Sequence, residues 1–355
     1  MGGESNTAMT DKDCPPAPDR PSGSSSEPFR DWLGRCLLGE SPMMRRVRER
    51  IIRAAAQDYP VLIVGETGTG KDVAANAIHQ GSSRSKKAPV VVVAGGLGDT
   101  AWSLLFGHRK GAFTGAMGAH PGLFLTAYDS SILFEDISDL PLRLQPMLLR
   151  AIEHGYFRAL GAEREVFSNA RVIASSNCSF QEEISSGRFR SDLFERLSVF
   201  RIEMPALRDH LDDLQIYLTH FLKKHSSQTE PPKSISDEAL NLLYEYSWPR
   251  NVRELEHVLQ RASIETEGET VGADVLVDVL AKGVERGPTC RPGRSFLFVD
   301  AHTLKRTLAT TRWNKREAAR RLKISPNTLY RLMEFHGLSR QGELTLDGRL
   351  QADSL

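Results

Sequence analysis

Four short runs dominated by apolar and β-branched residues constrain this chain most: VLIV at 61–64, VVVV at 90–93, ILF at 132–134 and RVIA at 171–174. Each is continuous rather than alternating, and helical patterns such as KDVAANAIHQ and LPLRLQPMLLRAIEHG separate them. A strand that is apolar throughout is covered on both faces, and intervening helices supply the crossovers. The pattern therefore predicts an α/β fold built on a parallel sheet.

Beyond the last run the period changes. Residues 207–282 carry helical spacing without strand runs, as in LDDLQIYLTHFLKKH, and predict a small all-helical domain. The Gly/Pro-containing 283–298 reads as a linker, 299–340 as a last helical block and 341–355 as a polar tail. Residues 39–206 form the α/β core, opened by the Ser-Pro helix start at Ser41 and Pro42. Residues 1–38, rich in Pro, Gly and Ser over the first 30, are expected to be a disordered tail too short for a sensory domain.

With 46 basic and 45 acidic residues, no global field selects a nucleic acid or a membrane. The four cysteines include no CxxC pair, which argues against a zinc site or a disulfide framework. No apolar stretch approaches the roughly 20 residues needed to span a bilayer, and there is no signal peptide, so a cytoplasmic protein is expected.

Between the first run and the helix after it lies Gly65-Glu66-Thr67-Gly68-Thr69-Gly70-Lys71. Glycines let such a loop curl its N–H groups toward phosphate oxygens, Lys71 adds a positive charge, and the helix start adds its dipole. The strand before and the helix after make this a phosphate loop, and a nucleotide is the expected ligand. Asp72 stands where many such loops place a magnesium-binding Ser or Thr. The third run ends in Glu135 and Asp136, a carboxylate pair able to serve Mg2+ and an attacking water. Glu135 and Asp72 are the candidate metal residues.

FGHRKGAFTGA at 106–116 then makes the chain resemble the bacterial sigma-54-dependent transcriptional activators, which are AAA+ ATPases. The resemblance continues through DLPLRLQPMLLRAIEHGYFRALG, RVIASSN, FRSDLFERLSVFRIEMPALRDH and WPRNVRELEHVLQRA, in the family's order. It implies that Gly111, Ala112, Phe113, Thr114, Gly115 and Ala116 form the mobile loop that meets the sigma factor. By the same resemblance Ser176 and Asn177 sense the γ-phosphate, and Arg190 and Arg196 reach a neighbouring subunit's nucleotide. Arg253 contacts nucleotide within its own subunit, and the assembly is a hexameric ring, homomeric or mixed.

Two departures mark the catalytic pair. The family's order is Asp then Glu, whereas this chain has Glu135 then Asp136, whose carboxylate is withdrawn by about 1.5 Å, a misplacement that can cost on the order of a hundredfold in rate. The Asn that partners the family's catalytic Glu has no counterpart in VVVVAGGLGD, which offers Ala94 and Gly95. Slow hydrolysis and ATP binding without useful hydrolysis both stay open.

Residues 301–340 hold ten basic residues against Glu317 and Glu334. NKREAARRL and SPNTLYRLMEF, joined by a brief turn, have helix-turn-helix spacing and resemble the family's Fis-type module. Asn327, Thr328 and Arg331 are the candidates for base contact, Lys315, Arg316 and Arg320 for phosphates of double-stranded DNA, and Tyr330 is a further DNA-binding candidate. The whole reads as a receiver-less, ATP-dependent activator acting on the sigma-54 RNA polymerase holoenzyme from upstream DNA. The rivals are a non-hydrolysing DNA-binding regulator and another P-loop machine such as a helicase, which has no use for GAFTGA.

Overall fold

The computed structural model describes residues 27–98, 100–226, 231–283, 301–311, 313–321, 329 and 333. Most of the expected N-terminal tail, the 284–298 part of the linker and the 341–355 tail lie outside these residues. The chain folds as two compact units, Met1–Ser236 with Arg250–Val271, and Asp237–Pro249 with Gly272–Leu355.

The first unit opens with α1 (Glu27–Cys36), which corrects the expected tail. Phe29, Trp32, Leu33 and Cys36 recur at helical spacing and are all buried, so this segment has a core-facing side that the polar residues before it lack. Cys178 is a free, exposed cysteine. α2 (Pro42–Ala55) begins as its Ser-Pro start requires: Met44 N donates to Ser41 Oγ at 3.3 Å.

From there strands and helices alternate: β1 (Val61–Val64), α3 (Lys71–Gln80), β2 (Val90–Val93), α4 (Ala101–Phe106), α5 (Leu123–Thr126), β3 (Ser131–Glu135) and α6 (Gln145–His154). A small antiparallel pair, β4 (Tyr156–Phe157) and β5 (Val166–Phe167), interrupts the alternation before β6 (Arg171–Ser176), α7 (Phe180–Ser185), α8 (Ser191–Leu197) and β7 (Phe200–Glu203). The five-stranded sheet runs β2-β3-β6-β1-β7 and every pairing in it is parallel.

Alternate side chains feed two cores. Leu62, Phe134, Val172 and Ala174 join Phe106, Phe124 and Phe157 on one face, while Ile63, Leu133, Ile173 and Ile202 meet α1, α2 and α3 on the other. The edge strands are the exceptions. In β2 only Val92 is buried, with Val91 and Val93 more than half exposed, so a run of four valines here marks an edge and not a doubly covered strand. β7 was not foreseen, because its half-exposed FRIE carries no apolar run.

The first unit continues with α9 (Leu214–Lys224) and the short parallel pair β8 (Ser234–Ile235) and β9 (Thr270–Val271). The second unit contributes α10 (Asp237–Glu245), and α11 (Asn251–Glu265) returns to the first. In the second unit α10 packs on α12 (Ala273–Gly283), and the buried Trp248 donates its Nε1–H to Leu243 O at 3.0 Å. α13 (Ala301–Thr310) and α14 (Lys315–Arg321) follow, joined by a cluster of Leu304, Leu308, Ala318, Leu329 and Met333. Among the described residues no helix is long and apolar enough to cross a membrane.

Candidate functional site

A parallel sheet brings its strand ends to one edge, and the phosphate-loop, acidic-pair and Ser176–Asn177 candidates gather there. Val64 is level with Ser176 and Val93 with Glu135, so the phosphate loop after β1, the acidic pair after β3 and the Ser176–Asn177 pair at the end of β6 share one rim.

In the phosphate loop Gly68 and Gly70 have φ of 81° and 87°, left-handed values that a side chain would strain. Lys71 begins α3 and is buried, with Nζ donating to Gly65 O at 2.9 Å and Glu66 O at 3.1 Å. Thr69 Oγ1 donates to Glu66 O at 2.8 Å, closing the loop on itself. Burial pulls the Lys71 ammonium down from its ordinary range, and Asp136 and Asp72 oppose that pull.

The carboxylates form a mutually repelling group. Glu135 is raised above the usual carboxylate range by burial first, then by Asp72 and Asp136. Asp72 is raised by burial and eased by Arg253, whose Nη2 lies 3.9 Å from Asp72 Oδ2. Asp136 sits at φ 48°, ψ 56°, a left-handed turn directly after the strand. A cation among these acids would relieve their repulsion. No group of three His, Cys, Asp or Glu side chains able to hold a metal occurs among the described residues. That donor set still fits Mg2+, which keeps most of its waters and takes one or two carboxylates together with phosphate oxygens.

Beside the loop is a cavity lined by the apolar Leu37, Leu38, Val73, Tyr217 and Val252, by Gly68, Thr69 and Gly70 of the loop, and by the charged Asp72, Arg253 and Glu256. Tyr217 Oη donates to Leu38 O at 3.1 Å, which holds this wall in place. Apolar walls next to a phosphate loop suit a flat heterocyclic base.

The remaining candidates are placed as follows. Ser176 is fully buried, donates to Ser138 Oγ at 3.2 Å and accepts from Cys178 N, whereas Asn177 is exposed. Arg190 stands at the N-cap of α8 and Arg196 in its last turn, both exposed, and Arg190 Nη2 holds Asp192 Oδ2 at 2.7 Å. The 111–116 loop is a closed turn, with Gly111 N donating to Ala116 O at 2.9 Å and Ala116 N to Phe113 O at 3.0 Å. Its Phe113 ring is 40% exposed and leans edge-on against His108 at 5.0 Å, while Thr114 is exposed and Ala116 buried. In the C-terminal module Lys315 and Arg320 lie on α14, where Arg320 pairs with Glu317 at 2.9 Å. The Arg316 side chain and Asn327, Thr328, Tyr330 and Arg331 lie outside the described residues.

Sequence reasoning missed two groups at the phosphate loop. Arg208 donates to Glu66 Oε2 at 2.8 Å, and the buried Asn251 donates to Glu66 and to Thr67 O. Asn251 lies in WPRNVREL two residues before Arg253, and an uncharged amide there carries no local signal of its contacts.

A phosphate loop and an acidic strand end on one rim of a parallel sheet, with a cavity against the loop, define a P-loop α/β protein. Comparison with known proteins sharpens that class. Residues 37–203 match the sigma-54 interaction domain, 208–290 the AAA+ ATPase lid domain, and 298–334 the bacterial regulatory proteins of the Fis family. The chain is 35% identical over 295 residues to the transcriptional regulatory protein ZraR of Salmonella typhi, covering 82% of this chain and 67% of that one. To the anaerobic nitric oxide reductase transcription regulator NorR of Salmonella agona it is 36% identical over 318 residues, covering 85% and 63%. The crystal structures of NtrX from Brucella abortus with ADP and with ATP each superpose with a TM-score of 0.64 at 26% identity, over 85% of this chain and 70% of that one. The chain thus spans roughly two thirds of the length of these curated relatives. It belongs to the sigma-54-dependent transcriptional activators and carries a Fis-type DNA-binding module.

Proposed function

We propose that this protein binds ATP at the rim of its sheet, hydrolyses it, and uses the energy to remodel the sigma-54 RNA polymerase holoenzyme while its Fis-type module holds upstream DNA. The observation that carries this is the buried Lys71 closing the phosphate loop on the sheet rim that Glu135 and Asp136 share, with a largely apolar cavity against the loop. The ATP-bound structure of NtrX supports the nucleotide assignment.

In the proposed reaction a water oxygen attacks the γ-phosphorus and the bond to the β–γ bridging oxygen breaks. ADP leaves, and Asp136 takes the water's proton. Lys71 offsets charge on the β- and γ-phosphates, and Asn177 faces the same rim. Mg2+, when bound, supplies further neutralisation of phosphate charge, with Glu135 and Asp72 as its protein carboxylates. Arg190 and Arg196, exposed and remote in sequence from the loop, act on a neighbouring subunit's nucleotide in a ring, homomeric or mixed. Phe113 and Thr114 form the contact with the sigma factor, and Lys315, Arg316, Arg320, Asn327, Thr328, Tyr330 and Arg331 the contact with DNA. The division into core 39–206, lid 207–282 and DNA-binding 299–340 belongs to the same proposal.

One observation favours a second reading, ATP binding as an assembly switch with little turnover. A β-carbon at Gly95 would stand 3.1 Å from Asp139 Oδ2, so the stretch where the family carries its Asn, Ala94 and Gly95 in this chain, offers no amide and borders another acid.

Phe113→Ala tests the sigma contact. ATP turnover and DNA binding stay at wild-type levels and promoter opening is lost. Persisting transcription would remove the loop from the account.

A further inference from the structure

Asn251 is fully buried with φ of 56°, a left-handed conformation that costs most side chains and that Asn and Asp tolerate best. Its amide is used in full across three segments. Oδ1 accepts from Leu207 N at 2.8 Å, and Nδ2 donates to Glu66 Oε2 at 3.1 Å and Thr67 O at 3.0 Å. Glu66 is held below the usual carboxylate range chiefly by its hydrogen bonds from Arg208, with Asn251 adding to the effect. Two residues after Asn251, Arg253 N donates to Gly68 O at 3.3 Å. A β-carbon at Gly68 would stand 2.1 Å from Arg250 O, so the loop backbone is seated directly on residues 250–253.

Peptide planarity turns these contacts into a direction. In a trans peptide the C=O and the following N–H point opposite ways. Anchoring the Thr67 and Gly68 carbonyls on the start of α11 therefore turns the Gly68 and Thr69 N–H groups away from α11, free for phosphate oxygens. We infer that Asn251 is a positioning residue for nucleotide: through Thr67 and Glu66 it fixes the donor face of the phosphate loop and ties that face to α11. The inference rests on the proposed nucleotide site and adds the residue that keeps it formed.

The test titrates a fluorescent ATP analogue into the full chain and follows thermal unfolding without nucleotide, for wild type and three variants. Asn251→Gly keeps the left-handed backbone at no steric cost and removes all three side-chain bonds. Asn251→Asp keeps the acceptor for Leu207 N but sets a carboxylate against Glu66. Asn251→Asp combined with Glu66→Gln restores a donor–acceptor pair. Asn251→Gly is expected to weaken binding about tenfold or more, the scale of lost hydrogen bonds to a charged group. Asn251→Asp weakens it further, and the double variant binds more tightly than Asn251→Asp alone. Lowered unfolding temperatures with unchanged affinity would reduce Asn251 to a structural residue and overturn the inference alone. A wild-type chain that binds no ATP would overturn the nucleotide site and this inference with it.

Discussion

Arg253 Nη2 lies 3.9 Å from Asp72 Oδ2, linking α11 to the first turn of α3 immediately after the phosphate-loop lysine. The Arg253 Nε is buried without a hydrogen-bond partner, an arrangement that a phosphate oxygen would satisfy. Arg253→Ala is therefore expected to weaken ATP binding by about tenfold or more, and Arg253→Lys to restore little, since an ammonium cannot reproduce the fork of guanidinium donors. Equilibrium titration checks this, and an unchanged affinity for Arg253→Ala would detach the arginine from the nucleotide.

The order of the acidic pair gives a prediction of opposite sign. Asp136 turns off β3 in a left-handed conformation with a short side chain, and it is the foremost charge acting on Lys71. Exchanging the pair, Glu135→Asp with Asp136→Glu, extends the carboxylate toward the attacking water. Turnover per subunit is expected to rise by about tenfold or more, with ATP affinity little changed. Steady-state phosphate release measures it, and a fall in turnover would show that this site is built around its own order.

How far the sequence carried the account depends on the kind of signal. Central strands such as VLIV and RVIA and the loop ending in Lys71 were legible because burial on two faces and phosphate binding each demand a distinctive local pattern. The edge strand Phe200–Glu203 was not, since half exposure leaves an ordinary mixed sequence. Helix α1 was hidden by the polar stretch before it, although Phe29, Trp32 and Leu33 carry the period. Asn251 was invisible for another reason. Its role lies in contacts with Glu66 and Thr67, far away in the chain, and an uncharged amide in a helix start gives no hint of them.

The buried His79 predicts a pH dependence of stability. Its Nδ1 lies 2.9 Å from Ser131 Oγ, and burial pulls the ring down from 6.5 to about 4. The folded chain keeps this ring neutral while the unfolded chain protonates it below 6.5, so its contribution is complete above that pH and is lost as the pH falls toward 4. Between pH 7.5 and 5 the loss amounts to about 2 kcal/mol. Urea unfolding of wild type and His79→Gln across that interval checks it. The wild type is expected to lose that much more stability than the variant, and parallel losses would contradict the assignment.

The proposed action of Arg190 and Arg196 across subunits predicts complementation. Lys71→Ala disables the nucleotide side of a shared site and Arg196→Ala the arginine side. An equal mixture of the two inactive chains in a ring recovers about a quarter of wild-type turnover, because one interface in four combines both intact sides. Phosphate release after mixing measures it. A mixture as inactive as its parts would place both functions within one subunit or outside catalysis.

The central claim is that Glu135 and Asp136 form a working site. Phosphate release from ATP by the purified chain, at concentrations that support ring assembly and beside a Lys71→Ala control, tests it most directly. The account predicts slow turnover that the control abolishes. ATP binding with no phosphate release above the Lys71→Ala background would contradict it and make the protein an ATP-gated DNA binder.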